Sequence, residues 1–230
     1  GGIGRAVVDA LLQAGTHARV VAVSRGPRPA ELTDARLRWE TCDHSEPSIE
    51  AIVARLLAAG LPVDRIVIST GMLHKDALQP EKAIERLERE HFMEVLSVNT
   101  VLPALWLSAL AGLLRRSGEV AVAVLSARVG SIADNALGGW YSYRASKAAL
   151  NMVLKTASIE FARRAPGTRL IAFHPGTTDT GLSRPFQSRV PPEKLFTPAF
   201  VAGRLLALMD SRRGEREVAF VDWDGKPVPW

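Results

Sequence analysis

Apolar residues recur along this chain in two alternating rhythms. Over 4–14, Ala6, Val7, Ala10, Leu11 and Ala14 share one helical face, and Gly15 ends the run. The stretch 19–23, Arg19 followed by the apolar run Val20 to Val23, then reads as a short buried strand. A weaker strand is predicted over 37–41, a helix over 49–59 closed by Gly60, and a strand over 66–68. A charged helix is predicted over 80–97, with Ala83, Ile84, Leu87 and His91 turned inward, and a second, more apolar helix over 101–116. Gly118 leads into a strand over 119–125. A long helix over 143–164, a strand over 168–173, a helix over 197–209 and a strand over 217–221 complete the chain.

Strands separated by helices of this length call for right-handed crossovers and a mostly parallel sheet covered on both faces. The runs 20–23 and 120–125 do not alternate in polarity, as expected of strands buried on both sides. The expected fold class is therefore α/β, a doubly wound parallel sheet in a single domain over 1–230, since no linker, repeat or low-complexity segment interrupts it. Such sheets bind ligands at the carboxyl ends of their strands.

Composition narrows the setting. Apolar residues make up 47% and charged residues 23%, ordinary for a globular protein. Cys42 is the only cysteine, so no internal disulfide forms and a reducing, cytoplasmic compartment is expected. The net charge of +5 is dominated by arginine. The doublets Arg115-Arg116, Arg163-Arg164 and Arg212-Arg213 are scattered and without interleaved aromatics, which reads as a solvated surface and not a nucleic-acid face. The longest apolar stretch, 101–114, is too short for a bilayer and contains Pro103 and Ser108, so no membrane partner is expected. No metal site is expected. The chain opens on Gly1 rather than Met, as if in the middle of a loop; a preceding strand is expected to be missing.

Chemistry gathers at two places. Gly1, Gly2, Ile3 and Gly4 sit immediately before a helix, where unpaired N–H groups and a partial positive charge suit a pyrophosphate. The same residues would also make a plain glycine-rich turn. Ser24 and Arg25 follow the next strand about 20 residues on, where a dinucleotide fold meets the adenosine ribose. An acidic residue there would select NAD; the guanidinium of Arg25 can instead form a forked pair with a 2′-phosphate, which favours NADP(H) over NAD(H). Arg28 can share that role, and both can equally be surface charges. Asp43, after the strand 37–41, is a candidate for the adenine amino group or a solvent-exposed turn residue.

The second place is the start of the long helix. Tyr143 and Lys147 are four residues apart and share a face. A phenol is a poor base at neutral pH. A neighbouring ammonium favours the phenolate and lowers its pKa. The pair is suited to moving a proton to or from a carbonyl or alcohol oxygen while a cofactor moves hydride.

Gly2-Ile3-Gly4, Ser69-Thr70-Gly71, Val98-Asn99, the run from Tyr143 to Lys147 (Tyr, Arg, Ala, Ser, Lys) and the run from Pro175 to Thr180 occur in the order seen in short-chain dehydrogenases/reductases, and the chain resembles that family over essentially its whole length. Gly130-Ser131-Ile132, the segment 138–143 and the ending Asp222 to Gly225 resemble the subgroup of C-factor-type proteins and sniffer-type carbonyl reductases.

The resemblance implies a Rossmann fold and further roles. Tyr143 would be the acid/base, and Lys147 would also hold the nicotinamide ribose. Asn99 would sit at a helix distortion and support a water-linked proton relay to Lys147. Thr70 and Gly71 would line the cofactor cleft. Pro175 and the backbone of Gly176 to Thr178, with Thr180, would fix the carboxamide. His174 has no role in the resemblance and reads as a core or supporting histidine.

Two departures stand out. The first glycine of the family's loop would fall two residues before Gly1, and the missing strand would be central in the sheet, so the chain as written is expected to fold poorly or not at all. The substrate-orienting serine of the family is replaced by Ala127. Ser126 or Ser131 are the candidates to replace its hydroxyl. Strand alternation points Ser126 away from Ala127, whereas a loop can return Ser131 to the site.

The segment 181–196 is expected to cover substrate, with Trp140, Tyr141 and Phe186 as an apolar wall. The expected partner is a small, fairly apolar carbonyl compound or its alcohol, and the expected assembly is a homodimer or homotetramer through the helices around Trp106 and Leu154. The competing reading is a dinucleotide-binding signalling or regulatory protein with weak or no catalysis, motivated by Ala127.

Overall fold

The computed structural model describes residues 1–16, 19–75, 78–212 and 217–230, so Arg213 of the last arginine doublet lies outside the described residues. In chain order the elements are α1 (Gly2–Ala14), β1 (Val20–Ser24), β2 (Leu37–Thr41), α2 (Glu46–Ala58), β3 (Arg65–Ile68), α3 (Arg89–Leu96), α4 (Leu102–Arg116), β4 (Val120–Leu125), α5 (Tyr141–Arg164), β5 (Thr168–His174), β6 (Thr177–Thr178), β7 (Leu195–Phe196), α6 (Pro198–Ser211) and β8 (Ala219–Asp222). β3, β4, β5 and β8 form a parallel sheet in that order; β1 and β2 form a separate parallel pair, and β6 and β7 a short one.

β4 shows why its sequence does not alternate. Val120, Val122 and Val124 pack on one side with Ile52 of α2, Leu114 of α4 and Leu154 of α5. Ala121, Ala123 and Leu125 pack on the other with Val7 of α1 and Val201 and Leu205 of α6. Both faces are dry, so every position of the strand is buried. Each fully buried valine or leucine contributes about 1.5–3 kcal/mol. Helix ends follow local chemistry. α1 stops at Gly15, whose φ of 68° opens the left-handed region and lets its N–H donate to the Leu12 carbonyl. α6 starts where Thr197 Oγ1 accepts from the Phe200 N–H, with Pro198 in its first turn.

The expected helix over 80–97 does not form as read. Residues 80–88 hold only a 3-10 turn, Ile84–Arg86, and helix begins at Arg89. The charged periodicity misled because Glu81 is buried rather than solvated. From Arg89 the helix continues through a π-helical segment, Ser97–Val101, into α4, where two separate helices were expected. This 28-residue run, Arg89–Arg116, is long and apolar enough by composition to cross a membrane, which the stretch 101–114 alone was not. In this fold Trp106, Leu107, Leu110, Leu113 and Leu114 are buried, the pattern of a core helix.

β1 and β3 are not hydrogen-bonded to each other. A cavity of about 360 Å³ is walled by Val20, Ala22, Ile66, Ile68, Leu110 and Leu113, among others.

Candidate active site

α5 begins two residues earlier than expected, at Tyr141, which places Tyr143 and Lys147 in its first two turns. Tyr143 is buried beside Leu73, Val95 and Ala127, with Trp140, Leu182 and Phe186 packed around them. Lys147 is 2% exposed. Its Nζ lies 5.9 Å from the Tyr143 ring centroid and donates to the Leu125 carbonyl at 2.8 Å. Gly130 makes this burial feasible: a Cβ there would lie 2.7 Å from Lys147 Cβ and 2.8 Å from its carbonyl carbon.

The electrostatics differ from the sequence expectation. Burial pushes the Tyr143 phenol up to about 12, and burial pushes Lys147 down to about 7. Desolvation disfavours both charged forms and outweighs their mutual help in the protein by itself. Tyr143 therefore holds its proton at pH 7, the state that donates to a carbonyl oxygen. Lys147 sits where it can gain or lose a proton near neutrality.

Asn99 is fully buried inside the π-helical segment. Its Oδ1 accepts from the Met72 N–H at 2.7 Å, and its Nδ2 donates to the Met72 carbonyl at 2.8 Å and to Ser146 Oγ at 3.0 Å. The side-chain amide thus pins the loop after β3 to the helix of Tyr143. A π segment shifts the hydrogen-bond ladder by one residue and loosens a main-chain carbonyl from it.

The two candidate hydroxyls are both buried and differ in what they have left to give. Ser126 Oγ donates its one proton to Asn151 Oδ1 at 2.6 Å. Ser131 Oγ accepts from the Asp134 N–H at 3.0 Å and keeps its own proton for another partner among the described contacts. Ala127 itself stands in the apolar group with Tyr143.

The cofactor candidates of this end lie on the first turn of α1, in the loop after β3 and in the turn after β5. Gly1 is the N-cap of α1, and Gly2, Ile3 and Gly4 form its first turn rather than a loop before it. A Cβ on Gly2 would meet Thr180 Cγ2 at 2.7 Å, and one on Gly4 would meet Ser69 Oγ at 2.4 Å. One on Gly71 would stand 3.7 Å from Asn99 Oδ1 and 3.9 Å from Lys147 Nζ. Gly176 has a φ of 70°, and a Cβ there would strike the Phe196 ring. Pro175 precedes this turn; Thr178 is buried and its Oγ1 donates to the Gly176 carbonyl at 3.4 Å. Thr70 Oγ1 is buried and has no hydrogen-bond partner among the described residues. An orphaned hydroxyl in a cleft of small residues, beside the N-terminus of α1, fits a dinucleotide.

At the end of β1, Ser24 Oγ accepts from the Gly26 N–H. Arg25 is exposed, and after burial its charge is the next cause holding the His44 imidazole below its usual value. Arg28, expected to share the phosphate role, donates to the carbonyls of Leu32, Leu37 and Asp34, so its guanidinium is spent on the chain. Asp43 accepts from the N–H and hydroxyl of Ser45, and these bonds hold its carboxyl below the usual range. His174, with Nδ1 enclosed, is pushed down to about 4 by burial and then by Arg128, against the opposing pull of Asp222, so it is neutral at pH 7.

Over the phenol lies an aromatic group. Trp140 is 5.1 Å from Phe186 and 6.2 Å from Tyr143, and His74 is 5.8 Å from Phe186, centroid to centroid. Tyr141, expected in that wall, is half-buried at the first position of α5 and outside these ring contacts. His74 was not anticipated; its ring is 3.2 Å from the Gly181 carbonyl, on the segment expected to cover substrate. Glu81 was missed as well, since nothing in its sequence neighbourhood links it to a helix 60 residues away. Among the described residues no group of histidine, cysteine and carboxylate side chains is placed to hold a metal ion.

The short chain dehydrogenase family profile matches residues 1–190. The chain is 30% identical over 186 residues, 81% of its own length and 76% of the other's, to 1-hydroxy-2-glutathionyl-2-methyl-3-butene dehydrogenase of Rhodococcus sp. (strain AD45). It is 34% identical over 134 residues, 58% of its length and 75% of the other's, to C-signal of Myxococcus xanthus. Among solved structures, a short-chain dehydrogenase/reductase from Burkholderia multivorans with bound NADP superposes with a TM-score of 0.82 at 27% identity, covering 100% of this chain and 95% of that one.

Proposed function

We propose, from the premise that this chain belongs to the short chain dehydrogenase family of NAD(P)-dependent oxidoreductases, that it interconverts a small, fairly apolar carbonyl compound and its alcohol with NADP(H). The observation that carries the reading is the buried pair on α5: a protonated Tyr143 beside Lys147, facing Gly71 and an aromatic wall.

Bound NADPH supplies hydride; the proton is this chain's task. Tyr143 Oη donates it to the carbonyl oxygen as that oxygen becomes an alkoxide. Lys147, near neutrality in its own titration, returns a proton to the phenol. Asn99 holds the Met72 loop and the π segment in place, so that a main-chain carbonyl and water continue the relay outward. Ser131 supplies the hydroxyl that Ala127 lacks. Removing a donor of this kind lowers kcat roughly a hundredfold elsewhere. Ser131→Ala is therefore expected to cost more than Ser126→Ala in steady-state kcat; the reverse order would hand the role to Ser126.

Arg25 would pair with the 2′-phosphate, Ser24 with the adjoining oxygens, and Asp43 with the adenine amino group. Gly2, Ile3 and Gly4 would receive the pyrophosphate, Thr70 and Gly71 the nicotinamide half, and Pro175, Gly176, Thr178 and Thr180 the carboxamide. NADP bound in the Burkholderia multivorans structure supports the choice. Arg25→Ala should weaken NADPH binding by about 10- to 100-fold, the usual cost of hydrogen bonds to a charged group, and NADH binding far less. Equal weakening in fluorescence titrations would remove the 2′-phosphate assignment.

Met93, Val101, Met152 and Ile159 are exposed on α3, the π segment and α5 and support a homo-oligomer. The segment 181–196 would cover substrate. Ala127 supports a second reading, a dinucleotide-binding regulatory protein. NADPH binding by the full chain with no turnover across a panel of aliphatic and aromatic carbonyls would favour it over the enzyme.

A further inference from the structure

α5 begins without a cap of its own. Its N-cap is Trp140, which has no side-chain oxygen and no side-chain capping bond, and which sits at φ 53° and ψ 45°, a backbone region that bulky residues rarely adopt. Something else must hold that turn. The Glu81 carboxylate, 3% exposed, reaches it from 61 residues away in sequence. Glu81 Oε2 accepts from the Ser142 N–H at 3.2 Å, one of the unpaired donors of the helix start, and Oε1 accepts from Ser142 Oγ. The Glu81 main-chain carbonyl accepts from the Trp140 N–H at 2.5 Å. One residue thereby fixes both the strained Trp140 and Ser142, the residue before the phenol.

His91 of α3 backs the carboxylate: its Nδ1 is 4.0 Å from Glu81 Oε1, and it is 8% exposed. Arg144 closes the other side, its guanidinium donating to the carbonyls of Gly138 and Gly139.

We infer that Glu81 is the positioning residue of this active site: it supplies the missing cap of α5, and so sets where the Tyr143 hydroxyl and the Trp140 wall stand relative to the carbonyl. A carboxylate is suited to the place, since it is an acceptor with two oxygens and its charge complements the positive end of the helix. Its reach is limited to the carbonyl side. The glycines of α1, Thr70 and Thr180 belong to other elements and do not depend on it.

The inference rests on Tyr143 as the proton donor, and the test separates the two. In the full chain, Glu81→Ala should lower kcat for carbonyl reduction about 10- to 100-fold and raise the carbonyl KM, since displacement of a reacting group by about an ångström costs on that order. NADPH affinity should stay within about threefold of the parent. Glu81→Gln keeps an oxygen for the Ser142 N–H and should restore kcat to within about threefold. Should Glu81→Ala fail to fold, Ser142→Ala removes one arm of the clamp and should give a smaller fall in kcat, again with NADPH affinity kept. Parent-like kcat in both alanine variants would overturn the inference. So would loss of NADPH affinity in step with kcat, or a glutamine variant as impaired as alanine. Tyr143→Phe run alongside tells the two readings apart: if it is fully active the proton-donor reading fails, and if it is dead while Glu81→Ala is normal only the clamp fails.

Discussion

Tyr143→Phe is expected to lower NADPH-dependent carbonyl reduction by about a thousandfold, within the range that a positioned general acid supplies. The substitution is clean because the ring stays: phenylalanine keeps the contacts with Leu73, Val95 and Ala127 and the edge-on contact with Trp140. Only the hydroxyl is lost. Cofactor affinity should persist, since the substitution leaves Lys147 in place, together with the residues assigned to the dinucleotide on α1, after β1, β2 and β3, and in the turn after β5. Single-turnover hydride transfer, read at the NADPH absorbance with the full chain, measures the effect. Activity equal to the parent would remove Tyr143 from the mechanism.

Lys147→Met is expected to abolish turnover and, at the same time, to stabilise the fold. The folded-state value of about 7 lies below the ordinary 10.5. Above pH 10.5 both states are neutral and the lysine carries no penalty. As the pH falls from 10.5 toward 7 the unfolded chain binds a proton that the folded chain resists, so folded stability drops across that window. Below pH 7 both are protonated and the folded state carries a buried ammonium whose one hydrogen bond among the described residues is to the Leu125 carbonyl. Methionine has similar length and no charge. At pH 7 the variant should gain on the order of 2–4 kcal/mol, after the lost bond to the Leu125 carbonyl is counted. Urea unfolding at pH 7 and pH 10 reads both the gain and the flattened pH slope. A variant less stable than the parent at pH 7 would show that desolvation is not what governs Lys147.

The layers and the catalytic helix were legible because they rest on local rules. β4 announces its double burial in six apolar residues, and Tyr143 and Lys147 announce a shared face by their spacing. The glycines were legible as types but not in their reasons: Gly4 is needed against Ser69, Gly2 against Thr180, and Gly130 against the stem of Lys147. What stayed hidden depends on tertiary partners. Periodicity cannot tell a solvated glutamate from one that caps a distant helix, so Glu81 was read as part of a charged helix. Spacing cannot tell a phosphate-binding arginine from one holding backbone carbonyls, so Arg28 was overvalued beside Arg25. Nor can a charge pattern weigh desolvation, which reversed the expected direction at Tyr143.

The residues assigned to the dinucleotide run along the chain from Gly2 to Thr180, so one bound molecule would touch elements far apart in sequence. A ligand that binds the folded chain alone adds its binding free energy to folding, about 2.7 kcal/mol at a hundred times the dissociation constant. Saturating NADPH should therefore raise the midpoint of thermal unfolding, and NADH at the same concentration should raise it less.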